Sequence, residues 1–315
     1  MFAARGIAVS FSVFVMVYCG LSAAVSLGWR KVHAYASTHP VRRTANILFA
    51  LRILPLITAA VITAAFTVPS FLLFEPRAID EPLGGMPLAL AICGTGLALF
   101  GFVNAGLTLR RAWKTISGWT REAQPVTTHA AVPVLRMART LPAMTAAGIL
   151  RPRVLLSGTA EALLTSGELQ TALNHEVAHI RRQDNLKKLC LRFVAFPGMD
   201  GLEDAWLEAT EMAADDAAVM SSSEALDLAA ALIKLSRLGP GQAVELTAAL
   251  VHSPAAFMNT RVNRLVSWSD DRRVPLERPS PSYGVCAAAA TIALFAITYT
   301  QLLMRVHTAT EWLVR

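Results

Sequence analysis

Four stretches of this sequence are long enough, and free enough of charge, to cross a lipid bilayer, and they limit the fold more than any other feature. The first reads GIAVSFSVFVMVYCGLSAAVSLGW (residues 6–29) and the second ILPLITAAVITAAFTVPSFLLF (53–74). The third covers about 85–109 and the fourth 279–304. A helix needs about 20 apolar residues to span a hydrocarbon core of about 30 Å, and each stretch has them. Composition agrees. The 315 residues are 54% hydrophobic and 16% charged, against about 25% charged in an ordinary soluble domain. The first stretch is longer than the apolar core of a signal peptide, and no clean small-residue cleavage site precedes Trp29-Arg30-Lys31. It is expected to be retained as a span.

Orientation follows from the Lys and Arg beside the spans. Arg30, Lys31, Arg42 and Arg43 lie in the loop 30–46. Arg110, Arg111, Lys114 and Arg121 follow the third span, and Arg272, Arg273 and Arg278 precede the fourth. The opposite side carries only Arg5, Arg77, Arg305 and Arg315, and its loop EPRAIDEPL is net acidic. The expected topology is multi-pass in a bacterial inner membrane. Both termini lie outside, with 305–315 a short extracytoplasmic tail, and residues 110–278 lie in the cytoplasm. The net charge of +7 is then mostly membrane topology. No basic stripe with interleaved aromatics points to direct nucleic-acid binding. Arg52, at the start of the second span, is expected to snorkel to the cytoplasmic interface. Cys19, Cys93 and Cys286 fall in spans and Cys190 in the insert, with no disulfide framework or C-x-x-C clip among them.

The insert 110–278 is long enough for one globular domain. Up to about residue 150 it reads as helix-like pieces broken by Pro125, Pro133 and Pro142. Val154-Leu155-Leu156, between Pro152 and Gly158, reads as a short strand. Thr165-Ser166-Gly167-Glu168 fits a capping box that opens a helix carrying Leu169, Leu173, Val177 and Ile180. That helix holds His175-Glu176-Val177-Ala178-His179. Residues four apart leave one helix face a turn apart, so both imidazoles can bind one tetrahedral zinc. Glu176 points to the neighbouring face, where its carboxylate can reach a metal-bound water without being a ligand, the zinc-protease arrangement.

A third ligand is expected on the Ala-rich segment WLEATEMAADDAAVM (206–220). Glu211 there would complete a His-His-Glu site and leave the fourth position to water. Asp215, one turn on, can take the remaining N–H of a ligand histidine. Glu208 is the rival ligand and Asp216 the rival acid behind it.

Taken together, RPRVLLSGTAEALLTSGELQTALNHEVAHIRRQDN and EATEMAADDAAV resemble the integral-membrane zinc metallopeptidases of the BlaR/MecR type, the β-lactam sensor-transducers and their relatives. More distantly they are similar to the HtpX and CAAX-prenyl protease group. The likeness is specific from about 150 to 220 and looser elsewhere. It implies three spans, a cytoplasmic gluzincin domain and a fourth span. It also implies one zinc per chain on His175, His179 and Glu211, with Glu176 as the base. VHSPAAFMNTRVNRL (251–265) resembles the His-Pro…Arg-Ile segment near the end of the HtpX-type catalytic domain, with Ser253 inserted. That likeness gives His252 a role at the oxyanion and pairs Arg261 with an active-site acid. The sensor-transducers carry a penicillin-binding domain after the fourth span. Here RVHTATEWLVR follows it, so β-lactam sensing is not carried over.

The expected fold class is mostly α: four transmembrane helices with a cytoplasmic α+β zincin domain between the third and fourth. The expected function is a membrane-anchored zinc metalloendopeptidase. It would cleave a cytoplasmic or membrane-associated protein, such as a transcriptional repressor, or itself. The strand at 154–157 is the expected edge on which an extended substrate adds. Two alternatives remain at this point: a quality-control or maturation protease for membrane proteins, and a non-catalytic membrane transducer that keeps zinc for structure.

Overall fold

The computed structural model describes residues 2–75, 84–126, 132–138, 142–194, 196–238, 247–249, 255–268 and 299–310. Its first part is three long helical rods. Helix α1 is Phe2–Ala36. Helix α2, Val41–Ile62, runs through a π-helical turn, Thr63–Thr67, into α3, Val68–Phe74. Helix α4 is Gly85–Thr120. All three rods are long and apolar enough to cross a membrane. They overrun the apolar stretches at their basic ends, because Ala, Arg and Lys favour helix as strongly as Leu does. The expected loop 30–46 therefore shrinks to Ser37–Pro40, closed where the Thr44 hydroxyl donates to Ala36 O at 2.6 Å. Most of the expected fourth span, residues 279–298, lies outside the described residues. Residues 299–310 are helical.

The chain divides into two compact units. The first takes in residues 1–29, 51–100 and 274–315. There the Tyr299 hydroxyl donates to Ala65 O at 2.6 Å, a carbonyl in the π-helical turn, and Ser70 Oγ donates to Leu303 O at 3.1 Å. Arg52 does not snorkel outward. It is 4% exposed and lies beside Tyr18.

The second unit takes in residues 30–50 and 101–273. After α4 the expected helical pieces are strands: β1 Gln124–Val126, β2 Val134–Met137 and β3 Met144–Ala147. Segments this short between prolines cannot repay a helix nucleus, whereas lateral pairing satisfies their backbone at once. Strand β4, Arg153–Ser157, follows, and β5, Thr247–Ala249, completes a sheet of order β1-β2-β4-β3-β5. Strands β2 and β4 are parallel, and the other neighbours are antiparallel. Strand β4 therefore lies inside the sheet with both edges paired, which overturns its expected use as a free edge for substrate. Its side chains alternate as a strand's must. Val154 and Leu156 pack toward the helices with Met144 and Leu173, and Leu155 packs on the other face against Trp119 and Met137.

The helices that cover the first face are α5 Gly158–Leu163, α6 Ser166–Arg181, α7 Asp184–Phe193, α8 Asp200–Ala218, α9 Ser222–Ser236 and α10 Ala255–Val266. Helix α6 is pinned at its start by the full capping box. Thr165 Oγ1 accepts from Glu168 N, and Glu168 Oε2 accepts from Thr165 N. Lys234 of α9 donates to both Glu168 oxygens, at 2.8 and 2.7 Å. The helix that carries the motif thus enters the core at a fixed angle.

Candidate metal centre

Helix α6 buries one face against the sheet and α8, and His175, Glu176 and His179 leave it into that interior. They are 0%, 0% and 3% exposed. The two Nε2 atoms lie 3.1 Å apart. Helix α8 brings Glu211 to the same point. Its Oε2 is 3.5 Å from His175 Nε2 and its Oε1 3.5 Å from His179 Nε2. These three residues can hold a metal ion. Two donors on a tetrahedral ion with bonds of about 2.0–2.1 Å sit about 3.3 Å apart, and the three separations found here bracket that value. Of the rivals, Glu208 is exposed, and Asp216 is held by Arg264 Nη2 at 2.5 and 2.6 Å.

Both histidines have a carboxylate behind them. His175 Nδ1 lies 3.0 Å from Asp215 Oδ1, an ion-pair contact and not an aligned hydrogen bond. His179 Nδ1 lies 2.8 Å from Asp184 Oδ2. A carboxylate on Nδ1 favours the proton there, which leaves Nε2 for a ligand. Two Nε2 atoms 3.1 Å apart need a shared proton or a cation between them, and with Glu211 beside them the group fits a metal. Glu211 Oε2, buried and paired with Arg261 Nη1 at 3.1 Å, faces the same point.

Without a metal, the acids of the group act on its histidines. Burial pulls the His175 pKa down, but Asp215 and Glu211 outweigh it and push it up to about 9. His179 goes down, first through burial. Burial would raise Glu211, but the charges of His179 and Arg261 hold it at about 2. Asp215 is lowered too. Against the cost of burial, Arg261 holds it with Nε at 2.8 Å from Oδ2 and Nη2 at 2.6 Å from Oδ1. Arg261 is itself 0% exposed and lies 3.1 Å from Glu211 Oε2 through Nη1. One buried guanidinium on α10 thus holds both Glu211 and Asp215 of α8. His252 lies outside the described residues.

Glu176 is set apart from the three ligand atoms. Its Oε2 accepts from Ala146 N of β3 at 2.5 Å, and Oε1 has no hydrogen-bond partner among the described residues. Burial first, then the nearby Glu211 charge, raises its pKa to about 8, against lowering by His175.

Three parts of the site escape the sequence reading. Asp184 lies five residues beyond His179, out of register with a continuing α6. The chain breaks at Gln183, whose left-handed backbone (φ 55) turns α7 so that Asp184 points back at His179. Asn185 Nδ2 donates to Ala146 O at 3.1 Å and Gly148 O at 3.3 Å, holding β3 where its Ala146 N–H meets Glu176. Lys188, one turn beyond Asp184, has its pKa lowered by burial against the raising charges of Glu211, Asp184 and Glu176. The run QDNLKK after the motif was the available signal, unreadable without the turn at Gln183.

No protein-family model matches the chain, and no curated protein matches it as a relative.

Proposed function

We propose that this protein is a membrane-anchored zinc metalloendopeptidase that cleaves peptide bonds of a cytoplasmic or membrane-associated protein in a regulatory role, with a repressor or the chain itself as substrate. One observation carries the reading. Two histidine Nε2 atoms 3.1 Å apart each lie 3.5 Å from one oxygen of Glu211, while a further buried side chain, Glu176, is held beside them by Ala146 N with one oxygen that has no hydrogen-bond partner among the described residues. A structural zinc site closes on four protein ligands, often cysteines. The group here offers three and places a base next to the open position, which supports catalysis over the non-catalytic transducer.

In this reading His175, His179 and Glu211 hold the ion. When bound, zinc supplies Lewis acidity to a carbonyl and lowers the pKa of water toward 7. Glu176 Oε1 takes a proton from the attacking water and returns it to the leaving amine nitrogen. The Ala146 N–H fixes Oε2, so the proton enters and leaves at one defined atom. Asp184 and Asp215 hold the two imidazoles in the tautomer that ligates, and Arg261 balances the charge of Glu211 and Asp215. The basic ends of the three apolar rods support a cytoplasmic site. The test is cleavage profiling of wild type against Glu176→Gln at matched zinc content. Equal cleavage by both proteins refutes the proposal.

A further inference from the structure

Arg182 follows the motif helix and is reached from the metal centre only through Asp184. Its side chain is 11% exposed, and Nε, Nη1 and Nη2 are all buried without a hydrogen-bond partner among the described residues. Its one ion pair is long, Nε to Asp184 Oδ2 at 3.5 Å, and that oxygen already serves His179 at 2.8 Å. Asp184 Oδ1 is taken by Lys187 Nζ at 3.3 Å. One carboxylate is therefore divided among His179, Arg182 and Lys187.

The surroundings add further positive charge. Lys187, with its side chain 21% exposed, lies 5.7 Å from the centre of the Phe49 ring. Its pKa is lowered first by burial, then, against Asp184, by the charges of Arg182 and Arg42. Arg42 is exposed in the first turn of α2, and Phe49 is two turns further along the same helix. That helix continues into the second membrane-crossing run. Burying a guanidinium without partners is costly. Its planar fork matches the paired oxygens of a phosphate, and the basic end of a spanning helix is where anionic headgroups are concentrated.

We propose that Arg182, with Lys187 and Arg42, forms a seat for a phosphate-bearing anion, filled by the headgroup of an anionic phospholipid. The seat shares Asp184 with the zinc reading, but its test needs neither zinc nor catalysis. The full chain is reconstituted in phosphatidylcholine nanodiscs, in nanodiscs with rising phosphatidylglycerol, and in phosphatidylcholine nanodiscs with added inorganic phosphate. Melting temperature is followed for wild type, Arg182→Gln and, as a control of equal charge change, Arg181→Gln, whose side chain is exposed. Wild type and Arg181→Gln should show a saturable rise with phosphatidylglycerol that Arg182→Gln loses. A rise that needs Arg182 but appears equally with inorganic phosphate keeps the seat and assigns it to free phosphate. If Arg182→Gln does not fold, Arg182→Lys, which keeps the charge and loses the fork, should show a reduced rise. The proposal is overturned if the Arg182 variants respond as wild type does, or if neither anion raises the melting temperature of wild type.

Discussion

Asp184→Asn should weaken zinc binding about 10- to 100-fold while leaving the fold in place, the usual cost of losing the acid behind a ligand histidine. The structure gives the same size by a second route. Asp184 is 0% exposed, and Oδ2 sits 2.8 Å from His179 Nδ1. Replacing the carboxylate by an amide of the same shape keeps an acceptor but removes the charge that makes Nδ1 hold its proton. If the amide turns its NH2 toward Nδ1, two donors face each other, and a buried donor left unsatisfied costs about 1–3 kcal/mol. A loss of 10- to 100-fold corresponds to about 1.4–2.8 kcal/mol, so the two estimates agree. The ring would also be free to take the other tautomer, with its proton on Nε2, where the metal must bind. The measurement is competitive zinc titration against a chelator in detergent, wild type beside Asp184→Asn and Glu208→Gln, with circular dichroism to confirm equal helix content. Glu208 is exposed and should bind as wild type does. If Asp184→Asn also binds as wild type does, the carboxylate does not set the His179 tautomer, and the account of two acids behind two histidines is wrong for this one.

Glu211→Ala should lose most of the bound zinc while Glu208→Ala keeps it, measured by metal analysis of the purified proteins. The reverse result would move the third ligand one turn along α8. Glu176→Gln should keep zinc and lose proteolysis by at least about 10²–10⁴-fold, read as self-fragmentation and casein cleavage in detergent. In the metal-free protein burial pushes the Glu176 pKa up to about 8, so the folded state keeps a proton that the unfolded chain gives up. Stability should therefore fall as pH rises from about 4.5 to 8, and Glu176→Gln should flatten that fall in melting temperature. Thr165→Ala removes the cap that holds α6 and should lower unfolding free energy by about 0.5–2 kcal/mol in a denaturant titration. Reporter fusions at about residue 160 and at the C-terminus should report opposite sides of the membrane.

Local rules made much of this protein legible in its sequence. The three apolar rods follow from hydropathy, because a run of about 20 apolar residues has one stable solution in a bilayer. The capping box at Thr165 and Glu168 and the shared face of His175 and His179 follow from helix geometry, which is set within five residues. What failed was also local in origin. The proline-broken stretch before residue 150 was ambiguous between short helices and strands, and only sheet pairing resolved it. Strand β4 looked like an edge because its neighbours β2 and β3 could not be recognised beside it. Arg52 looked like a snorkelling residue because its inward environment is made by other helices.

The site itself was half written in the sequence. The spacing of the histidines determined where two ligand atoms point. The choice of Glu211 over Glu208 depended on the rotation of α8 against α6, which is fixed by packing around residues such as Trp206 and Leu202, 1% and 0% exposed. The left-handed turn at Gln183 decided that Asp184 would return to His179. The pairing of β3 with β4 placed the Ala146 N–H on Glu176, and α10 delivered Arg261 from 46 residues away to Asp215. Each of these is a meeting of segments remote in sequence. Such meetings carry no periodic signal, because the energy that selects them belongs to the packed interior and not to either segment alone.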